Sequence, residues 1–371
     1  MRVMHLIARF NKGGTATWIS NLAESQINNQ YQILVCAGYV SEGEKEDERF
    51  NDLSGKHISG LGRDITFFGD FIALLEIRKL IKEFRPDVLN THTAKAGVLG
   101  RLAALSLFSK RPTLVHTLHG HLLTGYFGRL GTIMASFIER SLSKVTDLTL
   151  FAGERVRDDC LKVGIGTRRR SSVVMPGVKE PITISQVSAR SELHLELGSE
   201  VIYVGWLARI APIKRIDRLM EIALQFPEIS FLIGGMGENY ENIVKNAPSN
   251  CIFLGWIDST KFWSACDIAL LTSDNEALPI SLIEAQLTGI PTVTTPAGSA
   301  IEVVLDGVNG YVTDFSIPSL VSALRKLIAS PSLRKEMGYR GRERARMLFS
   351  IERQFRDHHS AYTEAINARK N

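Results

Sequence analysis

Residues 201–207 are Val201-Ile202-Tyr203-Val204-Gly205-Trp206-Leu207, an apolar run in the middle of a chain of 371 residues. A short run rich in β-branched and aromatic residues predicts a buried strand. Similar runs follow, with stretches of helical pattern between them, at Ile229–Gly234, Cys251–Leu254, Ile268–Thr272 and Pro291–Thr295. Strands that alternate with helices predict parallel β-α-β units whose sheet faces are both covered. The α/β class follows from this pattern.

The first half of the chain shows the same alternation. It predicts strands at Val3–Ala8, Gln32–Ala37, Asp87–Thr91, Thr113–His119, Leu148–Ala152 and Ser172–Met175. The helices between them are predicted at Thr15–Asn28, Asp70–Phe84, Ala96–Leu107, Tyr126–Lys144 and Glu154–Val163. A chain of this length fits two domains of ordinary size. We therefore predict two tandem α/β domains, residues 1–178 and 179–351, with the ligand site in the cleft between them at the carboxyl ends of the strands.

Composition excludes several other classes of protein. With 44% hydrophobic residues the chain is too apolar for disorder, and with 30 Gly and 12 Pro it is not fibrous. No run approaches 18 uninterrupted apolar residues, and the start, MRVMHLIARFNKGG, lacks the apolar core of a secretion signal. We expect a cytoplasmic protein whose four cysteines are reduced.

The net charge of +5 hides a strong asymmetry along the chain. Residues 1–180 contain 25 Lys and Arg against 18 Asp and Glu, residues 181–320 contain 7 against 16, and residues 321–371 contain 12 against 5. A basic half beside an acidic block indicates an anionic partner for the first half, although scattered solubilising charge is the alternative. Nucleic acid is not expected, because the sequence has no recognised binding module.

Neither half carries a Walker phosphate loop or a GxGxxG turn after its first strand, so ATPase and nicotinamide chemistry lose their main support. Instead Gly13 and Gly14 follow the first strand, where paired glycines let backbone N–H groups approach a phosphate or a sugar. In the second half, Gly205 lies in the first strand and is a candidate for nucleotide binding, and Arg209 and Lys214 follow that strand. A planar guanidinium and a point charge at a strand-to-helix turn suit a diphosphate.

The most specific pattern is Glu276-Ala277-Leu278-Pro279-Ile280-Ser281-Leu282-Ile283-Glu284, which follows another buried strand. Pro279 is well placed to begin a helix. Free N–H groups near Leu278–Ile280 then favour an anion, and a carboxylate on each side can accept hydrogen bonds from sugar hydroxyls. Gly235, after the second strand of this half, allows a close backbone approach to a ligand.

With these motifs the sequence resembles retaining glycosyltransferases of family 4, which have the two-domain GT-B fold. The resemblance covers nearly the whole chain and rests on Gly13-Gly14, the segment Asn90–Ala104, Thr117–Gly120, Met175–Val178, Arg209 with Lys214, and Glu276 with Glu284. The segment around His92 resembles bacterial enzymes that build surface polysaccharides such as capsule, O-antigen and lipopolysaccharide. The GT-B resemblance also implies that a C-terminal helix, about 352–371, crosses back to the first domain.

The resemblance implies roles for individual residues. Arg209 and Lys214 would hold the donor's diphosphate, Glu284 the nucleotide ribose and Glu276 the donor sugar. Ala277, Leu278, Pro279 and Ile280 would contribute backbone contacts to sugar and phosphate, and Gly13 and Gly14 would close over the diphosphate. His119 would bond a hydroxyl of the donor sugar. His92, Lys95 and His121 are candidates for the acceptor, although His92 is equally well explained as a structural histidine.

The family pattern further implies a nucleoside-diphosphate sugar as donor, with a UDP-sugar as first candidate, and neither metal nor cofactor. Some positions depart from that pattern. Arg215 and Ala277 stand where glycine is usual, and the segment Met175–Val178 lacks the Asn often found between Pro and Gly. The acceptor is expected to be a saccharide, with a polyprenyl-diphosphate-linked one favoured by the basic first half. A nucleotide-sugar 2-epimerase of the same architecture and a non-enzymatic sugar-binding protein remain as alternatives.

The predicted helix over Tyr126–Lys144 raises the question of a membrane. Its apolar residues Ile133, Met134, Phe137 and Ile138 are accompanied by the cations Arg129, Arg140 and Lys144. This pattern fits a helix that lies at the inner face of an anionic membrane. Packing of the same apolar side against the first sheet is the other explanation.

Overall fold

The computed structural model describes residues 1–42, 44–62, 64–120, 128–198 and 200–370, without the side chain of Arg129. The chain divides into two compact units, Met1–Gly177 together with Ile351–Asn371, and Val178–Ser350. Each unit has its own parallel sheet and its own apolar core.

The first unit has a seven-stranded sheet in the order β3-β2-β1-β4-β5-β6-β7, with every neighbouring pair parallel. Its strands are β1 (Arg2–Arg9), β2 (Gln32–Gly38), β3 (Lys56–His57), β4 (Val88–His92), β5 (Thr113–Leu118), β6 (Leu148–Phe151) and β7 (Ser171–Val173). Its helices up to this point are α1 (Gly14–Asn28), α2 (Arg49–Asp52), α3 (Phe67–Phe84), α4 (Ala94–Leu105), α5 (Arg129–Ser143) and α6 (Glu154–Lys162). Strands β4 and β5 are buried along their whole length, as expected for central strands of a sheet with helices on both faces.

The second unit has a six-stranded parallel sheet in the order β10-β9-β8-β11-β12-β13. Its strands are β8 (Tyr203–Leu207), β9 (Ser230–Gly234), β10 (Cys251–Gly255), β11 (Ile268–Leu271), β12 (Thr292–Thr294) and β13 (Gly310–Val312). Its helices are α7 (Gln186–Glu192), α8 (Ile216–Ala223), α9 (Tyr240–Lys245), α10 (Ser259–Ala265), α11 (Ile280–Thr288), α12 (Ala300–Val303), α13 (Ile317–Ala329) and α14 (Pro331–Leu348).

The last helix, α15 (Ile351–Lys370), belongs to the first unit. Its residues Ala361, Tyr362 and Ala365 pack into the core beneath β1, β4 and β5, and the helix also contacts α1. Asn90 of β4 donates a hydrogen bond to the Tyr362 hydroxyl at 2.7 Å. The predicted return of the C-terminal helix is therefore confirmed, as are the two parallel Rossmann-like sheets.

Sequence reasoning missed several short elements, namely β3, β13, α2, α7, α10 and α12. The predicted helix over Tyr126–Lys144 is α5 in the structure and starts at Arg129. Residues 121–127 lie outside the described part of the chain, and so does the acceptor candidate His121.

Candidate active site

The turn after β8 is held by the glycine segment that follows β9. Ala208 N donates to Gly234 O at 3.1 Å, and Ile210 N donates to Met236 O at 3.0 Å. Gly235 has a φ of +114°, and a Cβ added there would lie 2.1 Å from the Ala208 carbonyl oxygen. This contact between backbones leaves no room for a side chain. It fixes the turn that carries Arg209, whose side chain is exposed.

Lys214 and Glu276 meet at the carboxyl ends of the neighbouring strands β8 and β11. Lys214 Nζ lies 2.5 Å from Glu276 Oε1, and the Ser273 hydroxyl donates to the same oxygen at 2.6 Å. Glu276 is buried and Lys214 is partly exposed. The structure therefore brings together two residues that the sequence assigned to different parts of the donor, and it leaves Arg209 outside this ion pair.

Thr272 links the two strand ends. Its hydroxyl accepts from Trp206 Nε1 at 3.0 Å and donates to the backbone oxygens of Lys214 and Arg215 at 2.9 and 3.0 Å. Since one hydroxyl proton serves both carbonyls, this is a three-centre hydrogen bond. A single buried threonine at the start of the Glu276 loop thus fixes the position of the Lys214 turn relative to that loop.

Arg215, which replaces the usual glycine, has a φ of +55°. Its guanidinium pairs with Asp217 at 2.7 Å and with Asp274 at 3.0 Å, and Arg218 also pairs with Asp274 at 2.9 Å. These ion pairs raise the pKa of Arg215 and, with burial opposing, lower the pKa of Asp217. The left-handed backbone is thus accompanied by ion pairs between the Lys214 turn and the end of β11.

Helix α11 begins directly after the Glu276 loop. Its N-cap residue, Pro279, makes no side-chain cap hydrogen bond, and the N–H groups of the first turn have no earlier carbonyl within the helix to bind. Leu278 and Ile280 have buried side chains, which leaves their backbone as the part that can bind a ligand. Glu284 lies one turn further along and is half-buried.

Gly205 occupies a different environment from the other predicted donor residues. It is buried in β8, and a Cβ there would lie 2.5 Å from Cys266 Sγ and 2.9 Å from the Trp263 ring. Its small size lets α10 pack closely on the sheet, which is a packing role.

In the first unit, Gly13 and Gly14 are exposed at the N-terminus of α1, as a phosphate-binding turn requires. His119 follows β5 directly and is held on two sides: His119 Nε2 lies 2.8 Å from His92 Nδ1, and the Trp18 ring packs edge-on at 4.7 Å. Burial lowers the pKa of His119 to about 3, with the charges of His116 and His358 acting in the same direction. The imidazole is therefore neutral at neutral pH.

The acceptor candidates His92 and Lys95 both form hydrogen bonds or ion pairs with other residues of the first unit. His92 is fully buried between His5 and His119, with a hydrogen bond at each ring nitrogen. Lys95 donates to Gly60 O at 3.2 Å and pairs with Asp70 at 2.6 Å. Both contacts favour structural roles for these side chains.

Sequence reasoning missed the partners behind His119. His5 lies in the middle of the apolar strand β1, and Gln26 lies on the buried side of α1. A fully buried histidine in an apolar strand needs hydrogen-bond partners. The position of His5 within an apolar strand was therefore the sequence feature that could have predicted these contacts.

The outer face of α5 is apolar and exposed. Its side chains Leu130, Ile133, Met134 and Phe137 are more than half exposed, and Ile138 is 38% exposed. The only carboxylate of the helix, Glu139, faces inward and pairs with Arg101 at 2.5 Å. A second exposed apolar stretch, with Phe67, Phe68 and Phe71, begins α3.

Among the described residues no group of three His, Cys, Asp or Glu side chains is arranged to hold a metal ion. Within the same part of the chain, no helix combines the length and apolarity needed to cross a membrane.

Two family models match adjacent parts of the chain. The model described as "Glycosyltransferase Family 4" matches residues 12–180, and the model described as "Glycosyl transferases group 1" matches residues 193–344.

Curated relatives are similar over most of their length. The capsular polysaccharide biosynthesis glycosyltransferase CapM of Staphylococcus aureus is 23% identical over 84% of this chain and 85% of its own. The UDP-Gal:alpha-D-GlcNAc-diphosphoundecaprenol alpha-1,3-galactosyltransferase of Escherichia coli is 25% identical over 80% of each chain.

Solved structures share the fold. HepE of Anabaena, crystallised with UDP and glucose, is 19% identical with a TM-score of 0.83 over 98% of this chain and 100% of its own. Sucrose-phosphate synthase of Thermosynechococcus elongatus is 16% identical with a TM-score of 0.84 over 99% of this chain and 100% of its own.

Proposed function

This chain belongs to glycosyltransferase family 4 and has the GT-B fold, and from that premise we propose that it moves a hexose from a UDP-sugar to a saccharide acceptor in bacterial polysaccharide synthesis. The anomeric configuration of the sugar is retained. Family membership favours transfer over the epimerase and the sugar-binding protein left open by the sequence. The observation that carries the proposal is the Lys214–Glu276 pair beside the uncapped start of α11.

The leaving group explains why cations and N–H donors gather here. When the bond between the sugar and the diphosphate breaks, negative charge grows on the phosphate oxygens. Arg209, Lys214 and the first-turn N–H groups of α11 stabilise that charge, an effect that is often the largest in catalysis. Arg209 is exposed and makes no ion pair with the described residues, so its full charge is available to the diphosphate.

Glu276 has a double role in this proposal. One carboxylate oxygen accepts hydrogen bonds from Lys214 and Ser273, which fixes the side chain, and the other accepts hydrogen bonds from hydroxyls of the donor sugar. Retention then follows attack of the acceptor hydroxyl on the face that the diphosphate leaves, with a phosphate oxygen taking the proton.

The remaining donor contacts follow the same reasoning. Glu284 accepts hydrogen bonds from the ribose hydroxyls, while backbone groups at Gly235 and over residues 277–280 approach the sugar and phosphates. We also assign Gly13 and Gly14 to the diphosphate and His119 to a hydroxyl of the donor sugar.

The first experiment measures donor binding. UDP, GDP, ADP and dTDP, with their glucose and galactose derivatives, are screened by thermal shift, and Kd values are measured for the best ligand. Lys214→Met is expected to weaken binding about 10- to 100-fold, because a charge-assisted contact to phosphate is lost.

Lys261→Met is the matched control, because Lys261 forms a comparable ion pair, 2.6 Å from Glu192, at another place in the same unit. It should leave the Kd within about twofold of the wild type. If no nucleoside diphosphate raises the melting temperature, the proposed function is wrong.

For the acceptor we propose a saccharide linked to a polyprenyl diphosphate. The name of the E. coli relative includes such a substrate, GlcNAc-diphosphoundecaprenol. A lipid-linked acceptor requires the enzyme to work at a membrane surface, and the exposed face of α5 has the chemistry for one.

We propose that this face of α5 binds to the inner face of an anionic membrane. Leu130, Ile133, Met134 and Phe137 of α5 are exposed, and so are two cations, Arg140 within α5 and Lys144 directly after it. The exposed triplet Arg168–Arg170 adjoins the end of α5, where Arg170 donates to the Lys144 carbonyl oxygen at 3.2 Å. Apolar side chains beside a group of cations are the pattern of a helix that lies in the surface of an anionic bilayer.

Vesicle flotation tests this surface. We expect the wild type to float with vesicles containing phosphatidylglycerol and not with phosphatidylcholine alone. Phe137→Glu should reduce the bound fraction about tenfold, since burying one Phe side chain contributes about 1.5–3 kcal/mol. Tyr339→Glu, at an exposed aromatic of α14, is the control and should bind normally. A wild type that stays unbound on both vesicle types would contradict membrane docking.

A further inference from the structure

Three imidazoles, those of His5 and His92 fully buried and that of His119 half-buried, form a line across the centre of the first sheet. His5 Nε2 lies 2.8 Å from Gln26 Oε1, His5 Nδ1 lies 3.1 Å from His92 Nε2, and His92 Nδ1 lies 2.8 Å from His119 Nε2. The three histidines come from β1, β4 and the end of β5, which are neighbours in the sheet. We call Gln26, His5, His92 and His119 the histidine chain.

Each ring of the histidine chain is neutral. Burial lowers the pKa of His5 to about 4 and that of His119 to about 3, and it lowers the pKa of His92 well below its usual value. A neutral imidazole carries one N–H and one lone pair. Every contact between two of these rings must therefore join an N–H of one to a lone pair of the other.

The amide of Gln26 orders the protons, because its carbonyl oxygen can only accept. His5 consequently carries its proton on Nε2 and offers the lone pair of Nδ1. His92 donates from Nε2 to that lone pair, and His119 donates from Nε2 to Nδ1 of His92. The last nitrogen, His119 Nδ1, is left with a lone pair and makes no hydrogen bond with the described residues.

We infer that Gln26, His5 and His92 are positioning residues that hold His119 in its Nε2–H tautomer, so that His119 Nδ1 accepts a hydrogen bond from a hydroxyl of the donor sugar. The ordering of protons follows from the contact distances together with the neutral rings, and the sugar contact rests on the proposed function. The inference gives His92 and His5 a role in donor recognition although neither touches the substrate.

The order of protons resists local change because Gln26, His5 and His92 are fully buried. Reversing one ring alone would place two lone pairs, or two N–H groups, against each other at about 3 Å. A buried polar group left without a partner is costly, so the rings can only reverse together with the Gln26 amide. The Trp18 ring packs edge-on against the His119 ring and holds it in the orientation that bonds His92.

Nitrogen-15 NMR of histidine-labelled full-length protein at pH 7 reads the tautomers directly. The nine histidines are assigned by single His→Gln variants. We expect His5, His92 and His119 each to show a protonated Nε2 and an unprotonated Nδ1. A protonated Nδ1 on His119, with or without the Nε2 proton, would overturn the inference, and this result does not depend on donor binding or activity.

A variant pair tests the origin of the order. Gln26→Leu removes the acceptor, so we expect the Nδ1–H form of His119 to appear and kcat/KM for the donor to fall about tenfold, the usual cost of one hydrogen bond. Tyr203→Phe removes a buried hydroxyl of the second unit that bonds the Glu196 backbone and leaves the histidine chain intact, so the histidine tautomers and kcat/KM should match the wild type. Unchanged tautomers in Gln26→Leu would show that Gln26 does not set the order.

Donor analogues test the direction of the last hydrogen bond. Because a lone pair needs a hydroxyl proton, replacing the contacted hydroxyl by fluorine should weaken donor binding to the wild type about tenfold. A set of UDP-sugars with one fluorine each identifies the position. If every hydroxyl tolerates fluorine while UDP-sugar binding itself is normal, the acceptor role of His119 is wrong and the proposed function stands.

Discussion

Lys214 and Glu276 are 62 residues apart in sequence and 2.5 Å apart in the structure. The sequence identified both from local patterns, a cation after one strand and a carboxylate after another. It did not show that the two charges pair, because pairing depends on β8 and β11 being neighbours in a sheet whose strand order is not sequential. The same strand order explains Thr272, an ordinary residue in sequence that joins both loops.

Gly235 offers a test at the level of one residue. Gly235→Ala should destabilise the protein by about 3 kcal/mol and weaken donor binding, because its φ is positive and a methyl group would lie 2.1 Å from the Ala208 oxygen. Urea unfolding and nucleotide titration measure the two effects.

Gly289→Ala is the matched control for Gly235→Ala. Gly289 has a φ of +88°, but its Cβ would meet no atom within 4 Å. Only the backbone strain remains, so we expect a loss of about 1 kcal/mol and an unchanged nucleotide Kd. Equal losses of stability in the two variants would show that the contact with Ala208 is not what requires glycine at position 235.

At the scale of elements, α5 shows what periodicity can and cannot decide. The sequence identified an amphipathic helix but left open whether its apolar side faces the sheet or a membrane. In the structure the outer face is apolar, because Glu139 turns inward to Arg101 and lies 3.6 Å from His116. Burial would raise the pKa of Glu139, but the charges of His116 and Arg101 lower it. A buried ion pair, which a hydrophobicity pattern does not predict, thus orients the helix.

The missed elements have a common cause. Helix α10, Ser259–Ala265, has seven residues, too few for a helical period to stand out, and is stabilised by tertiary contacts. Asp258 caps it by accepting from Lys261 N at 2.9 Å, and Phe262 and Trp263 are buried against β8. The longer helices were predicted because their periodic pattern extends over several turns.

At the scale of the whole molecule, the two units differ in their histidines with lowered pKa values. His5, His92, His116, His119 and His358 all lie in the first unit, and burial lowers the pKa of each, to about 3 or 4 where a value is resolved. In the unfolded chain they titrate near 6.5, so the unfolded state binds more protons between these values. The first unit should therefore be fully stable above about pH 6.5 and lose stability as the pH falls towards 4.

Pulse proteolysis in urea, with the cleavage sites mapped by mass spectrometry, checks this asymmetry. At pH 5 we expect cleavage first within residues 1–177, at a urea concentration that both units resist at pH 7.5. His358→Phe should reduce the pH dependence, whereas His194→Gln, at an exposed position of the second unit, should not. Earlier opening of the second unit at pH 5 would contradict the argument.

The sequence by itself determined the α/β class, the two parallel sheets, the family and the residue types that handle a diphosphate, because these depend on local periodicity and on short motifs. Only the tertiary structure decided which side chains meet: Lys214 with Glu276, Glu139 with Arg101, and His5 with His92 and His119. Each of these contacts crosses between strands or helices distant in sequence, so it is fixed by strand order and packing, which no local pattern encodes.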